Sequence, residues 1–296
     1  MDAGGAPGML IPDWPAPSGV RAAFTLRTGG VSVAPYDSLN VGAHVGDALD
    51  GVRENRRRVR EALRLPTEPV WLQQVHGTDV FDLDVSDGRA AALAEAGGEC
   101  VAASAAHAGA CEVSAGPGGR GPATAHAGSA GGAMSETPRA DAAIARVAGA
   151  VCVIQVADCM PVLVAARDGS AVGAAHAGWR GLAGGVLERT VRAIGVPAER
   201  LLAWLGPTIS QQHFEVGDDV RTAFTSGDPA SASAFVANAR GRWQCDLYTL
   251  ARRRLTALGV SEVFGGGWCT YADAARFFSY RRDGQCGRMA ALIWRE

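Results

Sequence analysis

Two imidazoles and one thiol sit beside apolar runs of this chain: His76 within Gln73-Gln74-Val75-His76-Gly77, Cys159 within Ala157-Asp158-Cys159-Met160-Pro161, and His176 within Ala175-His176-Ala177-Gly178-Trp179-Arg180. Two imidazole nitrogens and a thiolate make a natural zinc set. Three protein ligands leave the fourth tetrahedral corner to water or substrate, the arrangement of a catalytic rather than a structural centre. Gly77 and Gly178 leave room beside the histidines for close approach of backbone or ligand. Spacing alone does not bring the three together. Taken singly, a cysteine in an apolar segment reads as a core thiol and a lone histidine as a hydrogen-bonded one.

These residues need a buried sheet to hold them. Residues 20–26 read as a strand, followed by a Gly29-Gly30 turn and the polar segment Ser38-Leu39-Asn40-Val41-Gly42, with His44 at its end. Asp47 or Asp50 caps a helix running to about residue 65; its Arg56-Arg57-Arg58 run, flanked by Glu54 and Glu61, reads as a solvated face. Residues 69–80 read as a strand carrying His76. Residues 151–156 and 161–166 are near-continuous apolar runs, and Asp168-Gly169 turns the second into a strand at 171–175. A helix over 181–194, a strand over 201–205, a helix capped by Asp246 through 258 and a last strand over 289–294 complete the pattern. Strands outnumber helices and several are hairpin-linked, so the fold class is α+β.

Composition bounds the rest. The 296 residues are 48% hydrophobic and 20% charged, a globular balance. The 28 basic residues are all arginine, which excludes Schiff-base and P-loop lysine chemistry, and a net charge of -2 gives no positive field to hold a nucleic acid. No stretch approaches the ~18 apolar residues of a membrane span, and no signal-peptide pattern stands at the start. The expected location is cytoplasmic, without a membrane partner, as a monomer or homodimer. Seven cysteines without a CxxC pair read as reduced thiols.

Residues 88–138 are dominated by Ala, Gly and Ser, and read as a flexible surface insertion within one domain spanning 1–296, with one short helix near 90–96. Ala-His-Ala-Gly occurs at 106–109, 125–128 and 175–178, and only the third copy continues into Trp179-Arg180-Gly181 between a strand and a helix. His107 and His126 are therefore read as accidents of composition.

Together these segments resemble the YfiH/laccase-domain family, also described as multicopper polyphenol oxidase-like or DUF152 proteins. The resemblance runs through Thr25-Leu26-Arg27-Thr28-Gly29-Gly30-Val31-Ser32, Asn40-Val41-Gly42, His44-Val45-Gly46-Asp47, Gln74-Val75-His76-Gly77 and Ala140-Asp141-Ala142. It continues through Ala157-Asp158-Cys159 with Pro161, His176-Ala177-Gly178-Trp179-Arg180-Gly181, Gly206-Pro207, and Cys269-Thr270 leading to Phe277-Phe278-Ser279-Tyr280-Arg281-Arg282. It implies a single-domain four-layer α/β/β/α sandwich whose zinc is held by His76, Cys159 and His176. It also implies a purine nucleoside phosphorylase, splitting adenosine, inosine or methylthioadenosine with phosphate, with adenosine deaminase activity beside it. The family's laccase label implies copper-dependent phenol oxidation, and its peptidoglycan-editing label a hydrolase of cell-wall precursors. Two departures stand out: the long insertion, and Gln211-Gln212-His213-Phe214-Glu215-Val216-Gly217 where the family has a cysteine-containing segment, so His213 gains no support as a ligand.

Six histidines, at 44, 76, 107, 126, 176 and 213, are too few for a four-copper oxidase; one zinc site that takes up Cu2+ in vitro accounts for weak oxidase activity. For deamination, Asp158 is the carboxylate nearest Cys159 in sequence, read either as a proton shuttle or, since strand alternation turns neighbours apart, as a structural hydrogen-bond partner. For phosphate, Arg27 and Arg180 are favoured over Arg281 as cationic partners, each with an ordinary surface arginine as the alternative. Asn40 and His44 are read as pocket-lining on resemblance, or as parts of a turn. A cysteine hydrolase with Cys159 as nucleophile and His176 as base, and a binding protein in which zinc staples the fold, remain the other readings.

Overall fold

The computed structural model describes residues 6–84 and 137–296. The insertion expected over 88–138, its short helix, His107 and His126 lie outside the described residues, save 137 and 138. In chain order the strands are β1 (Met9–Leu10), β2 (Val20–Thr25), β3 (Val80–Asp82), β4 (Ala142–Ala145), β5 (Val151–Val156), β6 (Met160–Ala166) and β7 (Val172–Ala177). They continue with β8 (Leu201–Leu205), β9 (Glu215–Val216), β10 (Phe235–Ala237), β11 (Trp243–Cys245), β12 (Glu262–Gly265) and β13 (Met289–Arg295). The helices are α1 (Leu49–Leu63), α2 (Trp179–Gly184), α3 (Val186–Ile194), α4 (Asp218–Thr225), α5 (Leu247–Ala257) and α6 (Tyr280–Asp283).

Two sheets carry the fold: a four-stranded one in the order β1-β2-β13-β5 and a six-stranded one in the order β12-β8-β6-β7-β4-β3. A small third sheet, β10-β11-β9, is built from the chain between β8 and β12. The apolar runs are buried on both faces, so their alternation sorts side chains between two cores. On β5, Val151 and Val153 pack with Leu39, Val41 and Val59 of α1, whereas Cys152, Ile154 and Val156 join Leu163, Ala174 and Trp204 of the other sheet. On β6, Val162 and Val164 turn the other way, onto Leu187 of α3 and Leu250 of α5. The two sheets thus share one core, while α1 packs with the four-stranded sheet and α3 and α5 with the six-stranded one, in a mixed α and β fold.

Three expected elements differ. Over 69–80 only Val80–Asp82 is a strand, with a single parallel bridge between Gln73 and Arg139; the polar residues before it dock through side chains instead of a ladder. The helix expected over 181–194 is broken at Gly185, whose φ of +98° lies outside helical space, so α2 and α3 are separate. Asp47 does not cap α1 across its first turn. Its carboxylate accepts from Ser32 Oγ at 2.6 Å and Asn40 Nδ2 at 2.9 Å, bracing the loop that precedes the helix. By contrast, Asp246 accepts the Thr249 amide at 3.1 Å as the cap of α5.

Candidate metal centre

The link between β5 and β6 is only Ala157-Asp158-Cys159, and those strands belong to different sheets. Cys159 is therefore delivered where the chain crosses from one sheet to the other. His176 sits on β7, paired with Pro161 of β6, which sets it one strand away from the crossing. His76 arrives on the loop before β3 in a left-handed conformation, φ 61°, sparsely populated for non-glycine residues.

The three donors converge. Their ligand atoms all lie within 4.8 Å of one another; Cys159 Sγ is 3.7 Å from His76 Nε2, and the two imidazole rings meet edge to face at 4.8 Å between centroids. Tetrahedral zinc at ~2.3 Å from sulfur and ~2.0–2.1 Å from nitrogen holds such ligand atoms roughly 3.5 Å apart, so the donor set and spacing fit a metal ion. A Cβ on Gly178 would stand 2.8 Å from Cys159 Sγ and 3.1 Å from His76 Cδ2; glycine there keeps the donors free to approach.

Asp141, fully buried just before β4, ties the two histidines. Its carboxylate accepts the backbone amides of Val75 at 3.1 Å, His76 at 2.9 Å and Gly77 at 2.7 Å, and its Oδ1 is 2.9 Å from His176 Nδ1. Burial opposes its charge, but the hydrogen bond to His176 and the amides hold it below the ordinary carboxylate value. Burial also opposes charge on Cys159, yet His176 and His76 beside it bring its thiol down to about 6. Burial works against the His176 cation in turn, while the Cys159 sulfur and Asp141 raise it to about 9. Both shifts favour the charged forms, a thiolate on Cys159 facing an imidazolium on His176, in the metal-free centre.

The centre opens into a cavity of about 510 Å³, within the range of small-ligand sites. Trp179, Phe214 and Tyr280 supply aromatic walls, and His44, Arg180, Arg281 and Arg288 line it too. None of these three arginines has a side-chain ion pair among the described residues. Arg180 lies 4.3 Å over the Trp179 ring; Arg281 Nη1 donates to the Glu215 carbonyl at 3.0 Å and Arg288 Nη1 to the Cys286 carbonyl at 3.0 Å. His44 is held below its ordinary pKa by partial burial and the charges of Arg288 and Arg56.

Other expected residues stand elsewhere. Arg27 is outside the cavity lining: its guanidinium donates to the carbonyls of Asp37 at 2.9 Å and Ala274 at 3.1 Å and covers the Phe278 ring. Asn40 is buried, and its Oδ1 accepts the amides of Gly42 and Arg288, both at 2.8 Å, so it shapes the turn that presents Arg288. Asp158 lines the cavity, but Oδ1 accepts the Thr270 hydroxyl at 2.5 Å and Oδ2 the Arg281 amide at 2.7 Å. Its carboxylate is engaged in bracing the Cys159 turn. His213 is stacked on Tyr271 at 4.4 Å and is not among the clustered donors. Asp141 stood in the segment Ala140-Asp141-Ala142 that carries the resemblance but was given no role from sequence, and Arg288 was not singled out.

The model of the multi-copper polyphenol oxidoreductase laccase family matches residues 21–296. The chain belongs to this family. Among relatives of this family member are a purine nucleoside phosphorylase of Pseudomonas aeruginosa, 46% identical over 286 residues (96% of this chain and 97% of the relative), and the purine nucleoside phosphorylase YfiH of Escherichia coli, 43% identical (97% and 98%). A crystal structure of a Neisseria meningitidis protein assigned to DUF152 superposes with a TM-score of 0.79 at 40% identity, covering 98% of this chain and 99% of that one. No helix among the described residues is long and apolar enough to cross a membrane.

Proposed function

We propose that this protein is a metal-dependent purine nucleoside phosphorylase, cleaving adenosine, inosine or methylthioadenosine with phosphate, and deaminating adenosine as a side activity. The observation that carries the reading is the His76–Cys159–His176 cluster opening into a cavity lined by three arginines that have no ion pair among the described residues. The relatives named purine nucleoside phosphorylase support it. In phosphorolysis a phosphate oxygen bonds to the ribose C1′ while the C1′–N9 bond breaks and its electron pair leaves with the base. Arg180, Arg281 and Arg288 hold the phosphate by charge-assisted hydrogen bonds, and Trp179 and Phe214 pack against the nucleoside rings. His76, Cys159 and His176 would hold zinc, or copper when that is supplied, and the ion would act as a Lewis acid toward a substrate oxygen or water. His44, held below its ordinary pKa, is a proton acceptor for deamination; Asp158, whose oxygens already accept from Thr270 and the Arg281 amide, is the second candidate for that role. The free thiols at Cys152, Cys159, Cys245, Cys269 and Cys286 suit a reducing, cytoplasmic setting. One domain over 1–296, with 88–138 as an insertion in it, remains our reading of the chain.

The test is purified protein of measured metal content, offered a nucleoside panel with and without phosphate. The expected products are free base and ribose 1-phosphate, made only with phosphate and lost in Cys159→Ala. Full phosphate-dependent turnover by that metal-free variant rejects the proposal. A second reading, a cysteine hydrolase, is favoured by the low-pKa Cys159 beside His176; a covalent adduct trapped on Cys159 during turnover supports it over the first.

A further inference from the structure

The Asp141 carboxylate has about four lone-pair sites, and four partners fill them: the amides of Val75, His76 and Gly77, and Nδ1 of His176. The partners come from two separate pieces of chain, the loop that carries His76 and the strand that carries His176. The backbone repeats the tie, because the His176 amide donates to the Asp141 carbonyl at 2.7 Å.

We propose that Asp141 is the positioning residue of the metal centre: one carboxylate that fixes the left-handed turn presenting His76 and, by engaging Nδ1, leaves Nε2 of His176 as the donor beside Cys159. The argument is geometric. An imidazole has two nitrogens, and the one that binds an ion is set by the hydrogen bond of the other. At His176 that hydrogen bond goes to a carboxylate with no exposed surface, so a flip of the ring gives up a buried hydrogen bond that no water can replace and leaves Oδ1 with the His76 amide alone. At His76 the three consecutive amides wrap the same carboxylate, and that wrapping holds the positive φ. A single side chain therefore sets the orientation of two of the three donors, and it never touches substrate. The proposal rests on the metal reading given above.

The experiment titrates zinc into wild type and Asp141→Asn against a chromophoric chelator, with circular dichroism as the check on folding. Asn keeps the volume but turns an amide group toward backbone N–H groups or toward Nδ1. Expected is 10–100-fold weaker zinc binding in the folded variant, the usual effect of losing such a partner; a folded variant within threefold of wild type overturns the proposal. If Asp141→Asn does not fold, 15N-histidine NMR of the zinc-loaded wild type decides. A protonated Nδ1 on His176 with Nε2 on the metal supports the assignment, and the opposite tautomer overturns it. Wild type that takes up neither zinc nor copper defeats the metal reading and this proposal together, whereas tight wild-type binding that is indifferent to Asp141 defeats this proposal alone.

Discussion

Gln74 and Gln155 are joined by two hydrogen bonds: the Gln74 carboxamide donates Nε2–H to the Gln155 carbonyl at 2.8 Å and its Oε1 accepts the Gln155 amide at 2.7 Å. Gln155 lies on β5, an edge strand of the four-stranded sheet, where backbone groups lack a ladder partner. One side chain thus stands in for a strand. Since Asp141, next to β4 of the other sheet, holds the following residues of the same loop, His76 is tied to both sheets. Gln74→Leu removes two hydrogen bonds and leaves the Gln155 amide and carbonyl unpaired. Stability should fall by about 1–3 kcal/mol, read in urea unfolding, and zinc binding should weaken with it; unchanged affinity would show that the Asp141 side alone positions His76.

Between pH about 6 and about 9 Cys159 and His176 of the metal-free centre together hold one ionisable proton, with the balance toward thiolate and imidazolium. Zinc takes the thiolate and a neutral imidazole, so its uptake at pH 7.5 should expel about one proton. The sign follows from the two shifts. Lowering the pH through about 6 protonates the sulfur as well, so two protons must then leave and affinity drops; above about 9 the imidazole is already neutral and release fades. Calorimetry in buffers of different ionisation enthalpy counts the protons, and release of none at pH 7.5 contradicts the ion pair. In the same metal-free protein Cys159 should be alkylated with a midpoint near pH 6, while Cys152 and Cys245, whose thiols burial pushes up, stay inert.

Much of the scaffold was legible because its strands are long apolar runs: β5, β6, β8 and β13 fall where the hydrophobic pattern puts them. The His76 segment was not, since Gln73 and Gln74 attach it by a bridge and a carboxamide rather than by strand periodicity. Nor was the convergence of the three donors. It depends on a three-residue link that changes sheets between β5 and β6, and nothing in the spacing of His76, Cys159 and His176 encodes a change of sheet. The family resemblance supplied that set where the residues alone left it open. Arg27, read from sequence as a cationic partner of phosphate, stands outside the cavity lining, with its guanidinium on the carbonyls of Asp37 and Ala274 and over Phe278.

Arg27 and Arg180 should therefore separate in their effects. Arg27→Ala removes charge-assisted hydrogen bonds from a largely covered guanidinium and should cost on the order of 1.5–3 kcal/mol of stability, with the KM for phosphate unchanged. Arg180 is exposed, has no ion pair among the described residues and lines the cavity. Arg180→Ala should leave the urea midpoint within error and raise the phosphate KM about tenfold, equivalent to ~1.4 kcal/mol of binding. A phosphate KM that responds to Arg27 and not to Arg180 would move the anion site away from the cavity.

Gly178 isolates geometry from chemistry at the centre. Its φ of -66° and ψ of 159° are open to any residue, so Gly178→Ala introduces no backbone strain and should even reduce the entropy of the unfolded chain. The new methyl, however, would fall 2.8 Å from Cys159 Sγ and 3.1 Å from His76 Cδ2, well inside van der Waals contact. The sulfur has to shift, because the methyl is fixed to the backbone of the N-cap residue of α2 and cannot itself retreat. Since a displacement of a few tenths of an ångström spoils a first coordination sphere whose bonds are ~2.0–2.3 Å long, zinc affinity should fall at least tenfold. Thermal stability of the metal-free protein should change by no more than about 1 kcal/mol, as far as the overpacking can relax toward the cavity. Chelator competition and calorimetric unfolding on the same sample read both quantities. Wild-type zinc affinity in Gly178→Ala would mean that the ion sits away from the gap between Cys159 and His76.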